Sequence, residues 1–500
     1  MKNVRSIRVA AAFVSTALLA PITPIATAAD AYVPVMDNTF VGVGSDATKT
    51  NLNWLTDKTL KRQVVQVAKA SDVVDGQFPA NAPVVEAKVA SSSVDGAGFG
   101  VSRYQAKAAI DTPEANTDYT FRVSTDQKNW TPARTFNTGG FNDENWNFAS
   151  FGDPQLGASD DLEADKVGWN NTVKTVQDKL PGTDFYLSLG DQVNSVLKAS
   201  DQMSEMGAFF SPEGLSKRRL AVNRGNHDSM TSLYGQSFNL PNSTASNPLS
   251  DTFNYAYTYN NALIVTLDTE APFNYLTNKY DEAGFQKQVD FLHQQIANKP
   301  TNVDWVIVTY HRSSWSQAYH QADARIQDWR KHMLPEISKA NVDLVLGGHD
   351  HIYTRSQLLE GNEPVQVPEQ RSNDVTLTPK AGQTLYLAQT SSSASKFYDF
   401  SANPVILNPE DYLIDYPLPI HRYDRPDITN IQQSDAEGIT ARQTGYWAQT
   451  RTAQYTDVQI HGGKEIVLTT YDTGRTADGT ILPERAGQVV DKVALKSKNA

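Results

Sequence analysis

Asp153, Asp191, Asn226, His311, His349 and His351 sit in the segments GDPQ, GDQVN, GNHD, YHRS and GGHDH, in that order between Gly152 and His351. Carboxylate, amide and imidazole donors of this kind suit divalent cations such as Mn, Fe and Zn. The chain has nine histidines, and four of them (His227, His311, His349 and His351) fall inside these segments, which scatter explains poorly. Hydrolysis of a phosphoester calls for such a set. Two cations activate water and neutralise charge on the phosphoryl oxygens. One carboxylate bridges them, and a proton donor serves the leaving oxygen.

Singly, each residue has a plainer reading. His349 and His351 follow Gly347-Gly348 at a strand end. In an extended chain an H-x-H places both rings on one side, so each serves one metal; in a turn they are two surface histidines. Asp153 and Asp191 each follow a glycine after an apolar run, where aspartate is also a common turn residue. Asn226 offers a neutral amide oxygen to a metal that needs little extra negative charge. His227 is adjacent, and Asp228 is placed to steady its imidazolium form. His311 alone reads equally well as a capped strand-end histidine. The assignment rests on order and placement taken together.

The elements that position these residues alternate in type. Residues 147–151, 185–189, 220–222, 305–309 and 344–346 read as strands, each delivering a motif near its end. Leu162, Val167, Val173 and Val176 have helical spacing. An alternating β/α order with functional groups at strand carboxyl ends predicts an α/β sheet fold. From 40 to 138 the pattern is short strands at roughly ten-residue spacing, including 51–55, 63–67 and 119–123, which predicts a β-sandwich. Asn137-Thr138-Gly139-Gly140 reads as the linker after it. Residues 358–384 and 398–445, rich in Pro, Asn, Asp and Gln, read as long surface insertions. The runs 455–460, 465–470 and 489–495 return to complete the second domain's sheets.

Composition sets the class. Five hundred residues suggest about two or three domains. Lys2, Arg5 and Arg8 precede an apolar run at 9–20, and Ala26-Thr27-Ala28 offers a cleavage site, so 1–28 reads as a secretory signal peptide. An uncleaved anchor is the alternative, although the run is short of the ~20 residues of a spanning helix. No later stretch is apolar enough to span, so the expected product is secreted or held at the cell surface. The absence of cysteine excludes thiolate metal sites and cysteine nucleophiles, and in an exported chain it points to a bacterial source. A net charge of -12 argues against nucleic acid as a partner. A small phosphoester held by cations is compatible with it.

Taken together, the motifs closely resemble the calcineurin-like metallophosphoesterase family, whose pattern runs D-x-H/Q, GDxx[DN], GN-H-[DE], a lone H and GHxH. The resemblance covers about 146–357 and, through the last strands, 446–497. The segment before it, with Tyr104-Gln105-Ala106, residues 117–123, Trp130 and Phe136-Asn137-Thr138, is similar to the fibronectin-III-like N-terminal domain of purple acid phosphatases. The implied fold is α/β: a four-layer α/β/β/α sandwich at 146–497, with insertions at 358–384 and 398–445, preceded by an all-β sandwich at 31–139.

The resemblance also implies roles. Asp191 bridges two divalent metal ions (Fe, Mn or Zn), Asp153 and His351 complete one, and Asn226, His311 and His349 complete the other. His227, with Asp228 beside it, is the proton donor or charge stabiliser. His320, nine residues past His311, falls where the purple enzymes place a substrate-facing histidine; a surface helix residue is the alternative. Two positions depart from the pattern. Gln155 stands where many members have a metal-binding His, and it ligates more weakly or orients a water. Asn194, left facing substrate, stands where the purple enzymes have a Tyr phenolate, which directs the expectation away from a coloured ferric centre.

The expected activity is that of a secreted binuclear-metal phosphohydrolase of mono- or diesters, of the acid phosphatase or phosphodiesterase type, by attack of metal-activated hydroxide. The other class is an exported binding module that keeps the fold with weak or no catalysis, which Gln155 and Asn194 favour. Tyr398, Tyr412, Tyr416, Tyr423 and Trp447 either stack on a base or aryl group or pack locally.

Overall fold

Strands covered on both faces read as nearly unbroken apolar runs, and two sheets are built around such runs. In the computed structural model, residues 33, 36–56, 62–94, 101–141, 143–245, 250–271, 273–274, 279–365, 371–402 and 424–498 are described. The expected signal peptide and Tyr412, Tyr416 and Tyr423 lie outside the described residues.

The first sheet has 11 strands. Its middle is Thr452–His461, Asn145–Phe151, Phe185–Ser188, Arg219–Val222 and Asp37–Val43, in that order. Asn145–Phe151, Phe185–Ser188 and Arg219–Val222 run parallel. The second sheet runs Tyr255–Tyr259, Ala262–Thr266, Trp305–Arg312, Leu344–Gly348, Gln383–Ala388, Tyr353–Ser356 and Thr444–Ala448. From Ala262–Thr266 to Gln383–Ala388 its strands are parallel.

Side-chain alternation sorts these strands into layers. Along Trp305–Arg312, Trp305 and Ile307 enter the core between the sheets with Phe148, Phe185, Leu346 and Val458. Val306 and Val308 face the other way, onto Phe285 and Leu292 of the helix Glu282–Ala297 and Trp329, Met333 and Ile337 of the helix Ala324–Lys339. On the far side of the first sheet, Trp169 of the helix Leu162–Lys179 packs on Phe151 and on Phe209. Asp161 caps that helix by accepting from Ala164 N at 3.0 Å. The result is the α/β/β/α layering.

The N-terminal strands form a sandwich of their own. Val65, Val67, Phe121 and Phe136 from one sheet meet Val41, Leu52, Trp54 and Ala106 from the other. That second sheet continues into the α/β layers, because Asp37–Val43 pairs in parallel with Arg219–Val222 at Gly42↔Leu220. The segment expected as a linker is therefore buried at Thr138, Gly139 and Gly140. Two buried ionic groups satisfy its backbone: Arg219 donates to the Thr138 carbonyl and, at 2.6 Å, to that of Ala47, while Asp184 accepts from Gly140 N and, at 3.0 Å, from Asn147 N.

Much of 358–384, expected as an irregular insertion, is strand. Asp374–Leu377 joins the edge of the first sheet in parallel with Val489–Lys496. Val375 and Leu377 are buried and Asp374 and Thr376 exposed, an alternation too short to stand out among flanking Pro and Asn. Within 398–445, Ile431–Ala436 is helical. Among the described residues no helix is long and apolar enough to cross a membrane.

Two stability outcomes are expected at the buried segment. Arg219→Met leaves buried carbonyls without donors and costs roughly 1–3 kcal/mol, read as a lower thermal unfolding midpoint; an unchanged midpoint refutes the latch. Burial pushes the Asp184 carboxyl up to about 6, against the backbone donors that oppose it. A raised carboxyl means the folded state holds more protons than the unfolded one, so stability falls as pH rises from about 4 to 6. Asp184→Asn removes that part of the slope in unfolding scans across the window.

Candidate metal centre

Each site residue stands at or just past a strand's carboxyl end, and the chain pays for the turn in backbone conformation. Gln155, Asp191, His349 and His351 have φ of 34, 47, 77 and 46°, the left-handed region that side-chain-bearing residues avoid. Two motif glycines make room. A Cβ on Gly225 meets Asp191 Oδ1 at 2.1 Å, and one on Gly348 meets Asp153 Oδ1 at 2.1 Å. Backbone donors then pin both carboxylates: His349 N reaches Asp153 Oδ1 at 2.9 Å, and His227 N reaches Asp191 Oδ1 at 2.9 Å.

The expectation that His349 and His351 lie on one side of an extended chain is corrected. The strand ends at Gly348 and both histidines adopt left-handed turn conformations. His349 joins Asp191 and His311, whose ligand atoms lie within 4.8 Å of one another. His351 Nε2 instead lies 3.2 Å from Asp153 Oδ2. The structure thus gathers two groups, Asp191 with Asn226, His311 and His349, and Asp153 with His351.

Backbone carbonyls decide which ring nitrogens are free. His311 Nδ1 donates to the Leu189 carbonyl at 2.9 Å, and His351 Nδ1 donates to that of Lys396 at 2.9 Å. A neutral imidazole has one N–H, so the Nε2 lone pair of each ring points at oxygen acceptors. For His311 these are Asp191 Oδ2 at 3.3 Å and Asn226 Oδ1 at 3.1 Å. Lone pairs and carboxylates facing one another at such distances need a positive charge between them. Burial disfavours a cation on His311, yet Asp191 and Asp153 outweigh it and push the imidazole up to about 10. The same carboxylates would favour a metal cation there. Burial likewise opposes ionisation of Asp191, but His311 and His227 outweigh it and hold the carboxyl low.

Gln155 fits the same reading. Its amide nitrogen donates to Asn194 Oδ1 at 3.0 Å and to His227 Nε2 at 3.0 Å, and its Oε1 is buried without a hydrogen-bond partner. That oxygen is open to a cation. Asn194 was expected to face substrate; its side chain also donates to the Gly157 carbonyl at 3.3 Å, so it is spent on the local frame.

Asp228 departs from its expected role. His227 Nδ1 donates to the Asn194 carbonyl, so it is not Asp228 that orients the ring. Asp228 is buried and accepts from Gly225 N at 2.9 Å and Gln192 N at 3.2 Å, bracing two motifs. Burial and the neighbouring Asp191 charge push its carboxyl up to about 8.

His320 is at the site. It lies on the 3-10 turn Tyr319–Ala322, and its ring stacks on His349 at 4.3 Å. Its Nδ1 donates to Asp323 Oδ2 at 2.9 Å, a partner that sequence reading missed although H-x-x-D spans one turn. Arg312 was missed too. A register shift between Thr309 and Arg312 breaks the strand's alternation just after His311. Arg312 donates to His349 Nε2 at 2.9 Å and to Glu270 Oε1 at 2.6 Å, so any cation at that nitrogen competes with a guanidinium. Burial pushes His349 well below the usual imidazole range, and the positive charges around it add to the effect. A cavity of about 810 Å³ lined by Asp46, Glu144, Asn145, Asp304 and Lys464 lies at the strand starts and contains none of these groups.

Residues 147–353 match the calcineurin-like phosphoesterase family. Comparison with curated proteins finds no match. Among solved structures the chain is similar to the purple acid phosphatase PPD1 of yellow lupin (Lupinus luteus) seeds, at 15% identity and a TM-score of 0.63, covering 93% of this chain and 74% of that one. It is also similar to GAP50, the anchor in the inner membrane complex of Plasmodium (13% identity, TM-score 0.40, 71% of this chain and 89% of that one). A dimetal phosphatase from Danio rerio gives 10% identity and a TM-score of 0.40, covering 70% of this chain and 99% of that one. The lupin enzyme shows the shared fold; the other two likenesses are too partial to bear on function. Motifs, layers and family match agree, and residues 147–353 are similar to the calcineurin-like phosphoesterases.

Proposed function

We propose that the protein is a secreted phosphohydrolase that cleaves phosphate mono- or diesters with two divalent cations. One observation carries the reading: carbonyl-oriented His311 and His351 direct free Nε2 lone pairs at the carboxylates of Asp191 and Asp153. Asp191, Asn226, His311 and His349 hold one cation. Asp153, His351 and Gln155 would hold the other, with Asp191 close to both. When bound, such a pair activates water and neutralises phosphoryl charge.

The protein's own groups do the rest. His320, with Asp323 holding its Nδ1–H, presents Nε2 as proton donor to the leaving oxygen. His227, fixed by the Asn194 carbonyl and the Gln155 amide, lines the phosphoryl side. Residues 1–28 are removed on export, 31–139 is the accompanying sandwich, and 146–497 is the catalytic domain. Arg312 on His349 supports a second reading, an exported binding module that lacks a complete second cation.

Metal content separates the two. The phosphohydrolase takes up about two cations per chain by elemental analysis and turns over an aryl phosphate. Asp191→Asn loses cation and turnover together; full activity in that variant refutes the shared-carboxylate mechanism. Removal of the proton donor is felt most by basic leaving groups. Asp323→Asn therefore slows alkyl phosphate hydrolysis on the order of 100-fold and nitrophenyl phosphate much less, measured as kcat/KM. Equal losses on the two substrates refute the role of His320.

A further inference from the structure

We propose that Tyr398, with Tyr319 and Lys396, forms a leaving-group subsite that selects phosphoesters carrying a planar aromatic group, aryl or nucleoside. The inference rests on the phosphohydrolase reading and names its substrate class.

Asp153, Asp191, His311, His349 and His351 are all 4% exposed or less. The side chains of His227 and His320 are 19% and 18% exposed. A leaving group protonated by His320 must lie beside that ring, and Tyr398 is what it meets. The Tyr398 ring is centred 5.4 Å from His320, 5.0 Å from His351 and 5.0 Å from Tyr319, edge-on to all three. Lys396 Nζ lies 5.0 Å from the Tyr398 ring centroid.

This wall is held in place. The Lys396 carbonyl accepts from His351 Nδ1 at 2.9 Å. Gln449 Nε2 donates to the Tyr398 carbonyl at 2.6 Å and to the His351 carbonyl at 3.0 Å. The loop is thus tied at two points to the turn that carries a proposed cation ligand, and Tyr398 also packs on the core between the sheets. A fixed aromatic ring beside a proton donor, with a cation at hand, offers stacked or edge-to-face contact to a π-system. An alkyl leaving group gains little there. Trp447, by contrast, is buried and stacks on Phe400 at 4.8 Å, so it packs locally.

The test compares binding of phenylphosphonate and methylphosphonate to the metal-loaded full chain by calorimetry, which removes leaving-group basicity from the comparison. Wild type prefers the phenyl ligand by about tenfold, the scale of one aromatic stacking contact. Tyr398→Leu erases most of that preference, and Tyr398→Phe, which keeps the ring, retains it. Equal weakening of both ligands in Tyr398→Leu, or an unchanged preference, overturns the subsite. A wild type with no preference overturns it even if the Leu variant does not fold. A wild type that takes up no cation sinks the phosphohydrolase reading first, and this inference with it.

Discussion

Two backbone carbonyls, at Leu189 and Lys396, fix the direction of the site. By taking the Nδ1–H of His311 and His351 they turn both Nε2 lone pairs toward carboxylates. Without a positive charge between them this is a repulsive arrangement, and the carboxylates accordingly push the His311 imidazole up. The left-handed turns at Gln155, Asp191, His349 and His351 add strain, of order 1–3 kcal/mol each. Strain and repulsion concentrated at one point are what a polycation offsets on binding. The same carbonyl at Lys396 joins the His351 turn to the Tyr398 loop, so the proposed cation site and the proposed aromatic subsite share one hydrogen bond.

The scaffold absorbs this by being unusually continuous. Parallel strands end at one level on each sheet, which puts the motif turns side by side without long loops. The first sheet then runs on into the N-terminal strands through Gly42↔Leu220. Arg219 and Asp184 hold the joining segment in the interior, where a solvated linker would leave the two parts free to move. Rigid placement matters for a site whose donors must converge to within a few tenths of an ångström.

Most of the fold was legible because period and order are local signals. Leu162–Lys179 is helical where Leu162, Val167, Val173 and Val176 predicted it, although Val167 is exposed, and every motif lies at or just past the end of a strand. The candidate ligands marked by the sequence lie together in two groups, Asp191 with Asn226, His311 and His349, and Asp153 with His351. What escaped depends on through-space geometry. The H-x-H pair splits between groups because of two φ values that no residue type announces. Asp228 braces backbone amides instead of His227, since the Asn194 carbonyl arrives first. Arg312 enters the site through a strand irregularity, and the 137–140 segment is buried by a pairing between residues far apart in sequence.

The two halves of the site answer different questions. The buried half, carboxylates and imidazoles, is built to concentrate positive charge, and a phosphate monoester and a diester both meet that charge with anionic oxygens. It cannot distinguish them strongly. Under the proposed reading discrimination falls to the rim, where His227 and His320 are the more exposed side chains and Tyr398 lies beside His320. The chain also departs from the pattern it resembles beside His227: the Asn194 side chain, where a phenolate is expected, accepts from Gln155 Nε2 and donates to the Gly157 carbonyl, and Gln155 in turn supplies its amide to His227. These departures leave the carboxylate–imidazole convergence intact, so under the proposed reading they bear on the substrate before they bear on cation binding.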